Sequence, residues 1–232
     1  MKLRVAEVFA SIQGEGLWAG TPSVFVRVSG CNLRCAWCDT PYASWSPEGP
    51  VIAIDEIEAT VIAASEKAKH VVLTGGEPMM FDAIVDLASR LKDRGFTITV
   101  ETAGTVYQSL PCDLMSISPK LSNSTPAAES GWAQRHEDTR TNTTVLSQLI
   151  CDYPHQLKFV IGDNSTQDLE EIDELMSKLP MVDPSRILLM PEGTDIETLQ
   201  RRMHTVKPIA ERRGWGTSGR LHIELFGNVR GT

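Results

Sequence analysis

Three cysteines, Cys31, Cys35 and Cys38, lie within one short segment of the chain. Three residues separate the first pair and two separate the second, so a single loop can wrap three thiolates around one inorganic centre. Three protein ligands on a four-iron cluster leave one iron free to hold a substrate or cosubstrate. The spacing therefore indicates a chemical role more strongly than a structural one.

A zinc site completed by a distant residue is the alternative interpretation of these cysteines. His70, Cys112 and His222 are the candidates for its fourth ligand. Zinc sites usually take their ligands as two close pairs, whereas this chain has one triplet and no second pair. The pattern therefore favours an iron–sulfur cluster, and Cys112 and Cys151 are expected to be buried small apolar residues.

The composition and length limit the class of protein. A chain of 232 residues is typical of one domain, and a net charge of −8 argues against a sequence-independent grip on nucleic acid. Residues 1–7 lack the apolar core of a signal peptide, and no apolar run approaches the ~18 residues of a membrane span. We therefore expect a cytoplasmic protein with reduced thiols that binds neither nucleic acid nor a membrane.

Strand-like and helix-like segments alternate along most of the chain, which predicts a parallel sheet, open or rolled into a barrel. The predicted strands span residues 23–28, 70–74, 97–101, 113–118, 157–161, 186–190 and 220–226. Two predicted helices span residues 54–67 and 81–94. A third follows a cap at residues 163–166, and a fourth begins at residue 196 and is expected to be ended or kinked by Pro208. All of these elements belong to a single predicted domain, residues 1–232.

Two stretches stand apart from this alternation. Residues 121–141 are polar and rich in Ser, Thr and Asn, and are interpreted as an insertion or lid. Residues 215–232 are interpreted as a C-terminal strand and tail. The cysteine loop, Thr74-Gly75-Gly76 and Ser118-Pro119-Lys120 each follow a predicted strand, so they should meet at the rim where parallel sheets bind ligands.

The cysteine spacing, with Trp37 directly before the third cysteine, resembles the signature of radical S-adenosylmethionine enzymes. The resemblance implies a modified partial (β/α) barrel that binds a 4Fe–4S cluster through the three cysteines. It also implies that S-adenosylmethionine on the open iron carries the chemistry, while the protein positions and shields the reactants. Residues 74–78 resemble the family's Gly-Gly-Glu-Pro segment, in which Glu77 is expected to accept from the cosubstrate amine.

Further motifs narrow the resemblance. Residues 13–16 are Gln-Gly-Glu-Gly, residues 25–27 are Phe-Val-Arg, residues 30–33 are Gly-Cys-Asn-Leu and residues 37–40 are Trp-Cys-Asp-Thr. In this order and at these offsets they resemble the 7-carboxy-7-deazaguanine synthase family of queuosine and 7-deazapurine biosynthesis. The match continues at later motifs and leaves residues 121–141 unmatched. Those later motifs are residues 74–78, 101–105, 118–120 and 157–160.

This second resemblance implies a reaction and its participants. The reaction converts 6-carboxy-5,6,7,8-tetrahydropterin to 7-carboxy-7-deazaguanine, with contraction of a ring and loss of ammonia. The implied participants are S-adenosylmethionine used catalytically, an assisting Mg²⁺, an electron donor such as flavodoxin or ferredoxin, and a homodimeric enzyme. Thr40 matches the magnesium ligand of the family, whereas ligand chemistry alone favours Asp39.

Residue roles are carried over where the motifs match. The expected substrate contacts are Ile12, Gln13, Gly14, Glu15, Arg27 and Thr74. The expected cosubstrate contacts are Trp37, Cys38, Asp39, Gly76, Ser118, Pro119 and Lys120. Arg27 is expected to pair with the substrate carboxylate, because a charged residue on a buried strand needs a partner.

Two other functions stay open at the level of sequence. A glycyl-radical activase would share the cluster but would need a surface that docks a large protein, and would not need Arg27 and Thr40 facing a cavity. A non-catalytic iron–sulfur electron carrier would normally use a fourth thiolate, and would not need Gly75-Gly76-Glu77 beside the cluster.

Overall fold

The computed structural model describes residues 1–66 and 68–232 as an open, mostly parallel sheet with helices packed against it. The strands are β1 (Lys2–Ile12), β2 (Pro22–Val28), β3 (Val51–Ala53), β4 (His70–Gly75), β5 (Thr97–Thr102), β6 (Leu114–Ile117), β7 (His155–Ile161), β8 (Ile187–Pro191) and β9 (Gly216–Thr217). The helices are α1 (Ile54–Ala64), α2 (Ala83–Asp93), α3 (Ala133–Arg140), α4 (Thr143–Asp152), α5 (Ser165–Met176), α6 (Ile196–Arg213) and α7 (Leu221–Phe226).

The strands follow the order β3-β1-β2-β4-β5-β6-β7-β8-β9 across the sheet. The pairs from β2 to β9 are parallel, while β1 is antiparallel to both of its neighbours. The predicted α/β architecture of a partial barrel is confirmed, and the sheet stays open between β3 and β9. Among the described residues, no helix combines the length and the apolar character that crossing a membrane requires.

Strand β1 is the main element that the sequence did not predict. Its pairing with β2 shifts register between Val5 and Glu7, which marks a β-bulge. A bulge interrupts the alternation of inward and outward side chains on which strand prediction depends. Beyond the bulge, Glu7 lies opposite Arg27 and Phe9 lies opposite Phe25 across the two strands.

One apolar core fills the space between the sheet and its helices. Strand β4 contributes Val71 and Leu73, and helix α2 contributes Leu87 and Leu91, all of them fully buried. Nearly every residue of β4 is buried because a parallel strand in the middle of a sheet is covered on both faces. Packing of this core therefore sets where each parallel strand ends relative to its neighbours. It thereby sets the position of the rim formed by the carboxyl ends of these strands.

Two predicted helix ends differ from the structure. The helix predicted to reach residue 67 ends at Ala64, and Lys67 itself lies outside the described residues. Pro208 does not end α6, which continues to Arg213. Pro208 and His204, whose carbonyl loses its helical hydrogen bond, are both exposed, so water can satisfy that carbonyl.

The strand predicted at residues 220–226 is wrong, because this stretch forms the short helix α7. The alternation of Leu221, Ile223 and Leu225 spans too few residues to separate a strand from a helix. The edge beside β8 is already occupied by β9, so the chain after Gly219 turns towards the cavity instead of extending the sheet.

Residues 121–141 form an ordered segment of two short 3₁₀ turns followed by α3. Ser124 and His136 are completely buried within it. None of the residues 121–141 lines the cavity described below, so the segment lies behind the cysteine loop and does not cover the cavity as a lid would.

Candidate active site

A cavity of about 470 Å³ opens at the carboxyl ends of the parallel strands. Residues at the ends of β4, β5, β6, β7 and β8 form its floor, and the loops after β1 and β2 form its walls. The cavity therefore occupies the rim at which the cysteine loop, the Gly-Gly segment and residues 118–120 were expected to meet.

All but two of the residues expected to bind the cluster, Mg²⁺, substrate or cosubstrate line this cavity, the exceptions being Pro119 and Glu77. Those that line it are Ile12, Gln13, Gly14, Glu15, Arg27, Cys31, Cys35, Trp37, Cys38, Asp39, Thr40, Thr74, Gly76, Ser118 and Lys120. Pro119 does not line it, although both of its neighbours do. The structure thus brings the predicted set together, whereas the role of each residue remains a prediction.

The three cysteines of the loop after β2 are free thiols that share this cavity. Trp45 Nε1 donates to the carbonyl of Cys35 at 3.0 Å, and Ser44 Oγ lies 3.1 Å from Cys38 Sγ. Hydrogen bonds from flanking side chains therefore hold the loop in the conformation that turns its thiols towards the cavity.

Burial raises the pKa of Cys31 to about 12 and that of Cys35 to about 11. Thiols with such pKa values are protonated at neutral pH unless a bound cationic centre ionises them. Across the described residues, no three His, Cys, Asp or Glu side chains converge to hold a single metal ion. Three thiols from one loop are the ligand set that a four-iron cluster with one open iron uses, whereas a structural zinc site needs a fourth ligand.

Of the three candidates for a fourth zinc ligand, His70 and Cys112 do not line the cavity, whereas His222 does. His70 lies at the start of β4, the end of the strand opposite to the cavity, and bonds Ser23 and Thr99. Cys112 is half-buried and packs against the core. The prediction that Cys151 is buried is wrong, because its position on α4 faces solvent.

The Gly-Gly pair at the end of β4 allows two backbone segments to touch. A Cβ atom on Gly76 would lie 2.1 Å from the carbonyl oxygen of Gly30, the residue before the first cysteine. Gly76 also donates its N–H to Val28 O at 3.1 Å. Only glycine fits so close an approach, which seats the cysteine loop on the rim of the sheet.

Glu77 does not face the cavity, so the expected contact between Glu77 and the cosubstrate amine is wrong. Its carboxylate is fully buried and accepts from Thr102 Oγ1 at 2.8 Å, Ala103 N at 2.8 Å and Met79 N at 3.1 Å. Burial raises the pKa of Glu77, an effect that these three donors oppose. The residue ties the turn after β4 to the end of β5.

Glu77→Ala is expected to lower the free energy of unfolding of the cluster-free protein by roughly 3 kcal/mol, because three buried donors lose their acceptor. Denaturant titration followed by circular dichroism measures this change. Glu174→Ala, on the exposed face of α5, should leave the unfolding midpoint nearly unchanged. A loss below about 1 kcal/mol for Glu77→Ala would show that water or neighbouring groups replace the carboxylate.

Arg27 is held on the cavity wall by its cross-strand partner. Its Nε donates to Glu7 Oε1 at 2.6 Å, and Tyr42 Oη donates to the same oxygen at 2.8 Å. Within the described part of the chain, the two terminal nitrogens of Arg27 have no hydrogen-bond acceptor. The ring of Phe9, stacked on Phe25 at 5.1 Å, lies beside the guanidinium.

A chain of alternating charges lines the cavity: Lys158 pairs with Glu15, Glu15 with Arg220, and Arg220 with Asp39. Burial alone would raise the pKa of Glu15, but the two cations outweigh it and hold that pKa well below its usual range. Arg220 also donates to the carbonyl of Gly193 at 2.8 Å. Glu15 and Asp39 are therefore both ionised and already paired.

Arg220 and Lys158 were not predicted as site residues, and His222 was considered only as a zinc ligand, yet all three line the cavity. Arg220 and His222 were missed because residues 220–226 were predicted to form a strand. His222 packs so closely on the loop after β1 that a Cβ on Gly14 would lie 1.9 Å from its Nδ1. The usable signal was Gly227, a glycine placed to end a short helix after Phe226.

The last five residues of the chain, 228–232, also line the cavity. Arg230 lies over the ring of Tyr42 at 4.1 Å and pairs with Glu48 at 3.0 Å and with Glu7 at 3.4 Å. Glu7 therefore joins Arg27, Tyr42 and the C-terminal tail. Because this tail reaches the site through tertiary contacts, no local motif in the sequence announces it.

Known proteins resemble the chain over nearly its full length. It is 44% identical over 238 residues to the 7-carboxy-7-deazaguanine synthase of Halobacterium salinarum, covering 98% of this chain and 91% of the relative. It is 45% identical over 233 residues to the same enzyme of Rhodopirellula baltica, covering 99% and 89%.

Structural comparison and a family profile agree with these relatives. The crystal structure of QueE from Escherichia coli superposes with a TM-score of 0.74 at 25% identity, covering 96% of this chain and 95% of that one. The profile of the Radical SAM superfamily matches residues 25–123, the part that contains the cysteine loop and the Gly-Gly segment. The chain therefore belongs to the 7-carboxy-7-deazaguanine synthase family of radical S-adenosylmethionine enzymes.

Proposed function

We propose that the protein converts 6-carboxy-5,6,7,8-tetrahydropterin to 7-carboxy-7-deazaguanine with loss of ammonia. The observation that carries the proposal is the single cavity in which the three cysteines and the family's substrate-side residues face one another. Relatives at 44% and 45% identity share the name of this activity. They favour the synthase over both a glycyl-radical activase and an electron carrier.

Membership of the radical S-adenosylmethionine superfamily implies a 4Fe–4S cluster and S-adenosylmethionine as cofactors. Cys31, Cys35 and Cys38 would hold the cluster, and when bound the two cofactors supply the radical chemistry of the ring rearrangement. Gly76 and Lys120 are two of the expected cosubstrate contacts, and both line the cavity. The remaining residues of the cavity bind and orient the pterin and exclude water.

Arg27 would bind the substrate carboxylate. The pair with Glu7 occupies only Nε, which leaves the terminal nitrogens as a planar fork for a second carboxylate. The same pair fixes the rotation of the guanidinium, so little side-chain entropy is lost when the pterin binds. The stacked rings of Phe9 and Phe25 supply an apolar wall beside it.

Glu101 orients two other expected substrate contacts, Gln13 and Thr74. It accepts from Gln13 Nε2 at 3.1 Å and from Thr74 Oγ1 at 2.7 Å. Because the Thr74 hydroxyl donates its hydrogen to Glu101, a free lone pair on Thr74 Oγ1 can accept a hydrogen bond from a pterin N–H. Gln13 Oε1 in turn accepts from the backbone N–H of Glu15 at 3.1 Å, which shapes the loop that holds the pterin edge.

Thr40 would provide the protein ligand to Mg²⁺. The Asp39 carboxylate, which simple ligand chemistry favours, is paired with Arg220 and so is already neutralised. The Thr40 side chain lies on the same loop, with Oγ1 3.9 Å from Cys38 Sγ. Mg²⁺ usually keeps several water ligands and also binds substrate oxygens, so a single hydroxyl ligand from the protein is sufficient to hold it in the cavity.

Thr40→Ala is expected to lose most of the stimulation of turnover by magnesium while still cleaving S-adenosylmethionine. The change removes one ligand oxygen and leaves the cysteines intact. Turnover is measured against Mg²⁺ concentration, with Thr60→Ala on the exposed face of α1 as the control. An unchanged magnesium dependence in Thr40→Ala would move the ligand elsewhere, and Asp39→Asn would then be tested.

Three further features stay predictions. An electron donor such as flavodoxin or ferredoxin and a homodimer are drawn from the family resemblance, and a cytoplasmic location is drawn from the sequence of residues 1–7 and the lack of long apolar runs. The proposed reaction itself is tested with anaerobically reconstituted protein, the carboxytetrahydropterin, S-adenosylmethionine and a chemical reductant. We expect mass spectrometry to detect 7-carboxy-7-deazaguanine and ammonia release. Cleavage of S-adenosylmethionine without any deazapurine would contradict the proposed substrate.

A further inference from the structure

Segment 121–141 forms hydrogen bonds with the cysteine loop on the side away from the cavity. Neither the motifs nor the proposed reaction gives this segment a role. The backbone N–H of Ala36 donates to Ser124 O at 2.8 Å, and Trp37 Nε1 donates to Asn123 O at 3.0 Å. Both donors belong to the loop that carries the three cysteines. The segment therefore supplies acceptors that the loop cannot find within itself.

The deepest of these contacts involves His136, which is completely buried. The backbone N–H of Arg34 donates to His136 Nδ1 at 3.1 Å, and Ser124 Oγ lies 2.9 Å from Nε2. An N–H can only donate, so Nδ1 is the bare nitrogen and Nε2 carries the proton. Ser124 Oγ accepts this hydrogen bond from Nε2 and in turn donates to Leu121 O at 2.6 Å.

This arrangement leaves one tautomer and one ring orientation for His136. Every polar atom of the relay has a partner, and a satisfied buried network specifies a single geometry. Arg34 adds a second contact, since its guanidinium stacks on Trp132 at 4.2 Å. The amide of Arg34 lies directly before Cys35, so the relay fixes the backbone at one of the cysteines.

The segment is itself tied to the body of the protein. Asn123 Nδ2 donates to Val160 O of β7 at 3.0 Å, and Ser122 Oγ donates to Glu171 of α5 at 2.7 Å. Arg140 pairs with the same Glu171 and donates to the carbonyl of Lys120 at 2.9 Å. Contacts to the sheet and to α5 thus give the segment a rigid base from which to hold the loop.

We propose that segment 121–141 positions the cysteine loop for cluster binding, with His136 as its principal positioning residue. The proposal rests on the proposed role of Cys31, Cys35 and Cys38 as cluster ligands. His136 touches neither the cysteine thiols nor the cavity. It acts through the backbone at Arg34, so that the loop is ordered before iron binds and loses less conformational freedom when it does.

The test compares His136→Leu, His136→Asn and the parent protein. Without the cluster, His136→Leu is expected to speed amide hydrogen exchange in residues 33–37 by roughly tenfold, the effect of one lost buried hydrogen bond. After reconstitution, a chelator should bleach the visible absorbance of its cluster correspondingly faster. His136→Asn should restore most of both properties, because its side-chain oxygen can replace Nδ1 as acceptor.

His70→Leu is the matched control, because His70 is also buried and bonds hydroxyls at both ring nitrogens, Ser23 and Thr99, each at 2.7 Å. It should lower global stability without selective exchange in residues 33–37. The proposal is overturned if His136→Leu leaves both readouts at parent values, or if His70→Leu changes them as much.

Should His136→Leu fail to fold, Ser124→Ala carries the comparison. It keeps the imidazole but removes the hydroxyl that holds its orientation, so exchange in residues 33–37 should still rise. Parent-like exchange in Ser124→Ala would then refute the positioning role. A parent protein that binds no cluster would instead refute the role of the cysteines, which separates the two failures.

Discussion

Alanine at Cys31, Cys35 or Cys38 is expected to abolish cluster binding and product formation, since each change removes one of three thiolate ligands from a buried site. The physical reason is that an iron site short of one ligand is open to water and loses iron. No nearby side chain can compensate, because Ser44 Oγ, the neighbour of Cys38, is a far weaker iron ligand than a thiolate.

Iron and sulfide content, with the visible absorbance of the reconstituted protein, measure this effect. Cys112→Ala and Cys151→Ala are the controls, and both should load a full cluster, since one packs against the core and the other faces solvent. Full loading after the loss of Cys35, or loss of the cluster from Cys112→Ala, would contradict the assignment. Stoichiometric zinc in place of iron would restore the zinc interpretation.

Arg27→Ala is expected to weaken binding of the carboxytetrahydropterin by ~30-fold or more. Breaking a buried charge pair from one side typically costs ~2–5 kcal/mol, and each ~1.4 kcal/mol is tenfold in affinity. Arg27→Lys should recover only part of the loss, because an ammonium is a point charge and cannot offer two parallel donors. Substrate titration of anaerobic enzyme with S-adenosylmethionine bound measures both variants.

Arg202→Ala is the matched control for a purely structural effect. The Arg202 side chain is 16% exposed, close to the 18% of Arg27, and it pairs with Glu192 and Asp163 outside the cavity. Its loss should lower stability without changing pterin affinity. If Arg27→Ala binds the pterin as tightly as the parent, then Arg27 serves the fold through Glu7 and does not bind substrate.

Much of the fold and site is predictable from the chain because the signals are local. The cysteine spacing, the glycines after β4 and the alternation of strands with helices each depend on residues within one short stretch. Parallel strands place their carboxyl ends along one rim, so three motifs that follow predicted strands had to meet. This reasoning located the cavity, and all predicted site residues except Pro119 and Glu77 line it.

Local patterns were misleading where tertiary contacts override them. Glu77 lies in a motif that suggests a ligand contact, yet three donors from the turn and from β5 bury its carboxylate. The alternation at residues 220–226 suggests a strand, but Arg220 turns towards Glu15 and Asp39. Partners on other elements of the fold decide the outcome, Thr102 and Ala103 for Glu77, and Glu15 and Asp39 for Arg220.

The sequence by itself determined the cluster motif, the class of fold and the rim where the chemistry belongs, because these follow from spacing and periodicity. Only the tertiary structure decided the electrostatic environment of the site. Glu15 meets Lys158 from 143 residues away, and Asp39 meets Arg220 from 181 residues away. The contact of His136 with the cysteine loop is of the same kind. Such pairings depend on how strands and loops are stacked in space, and charge or residue type alone does not encode which carboxylate each cation reaches.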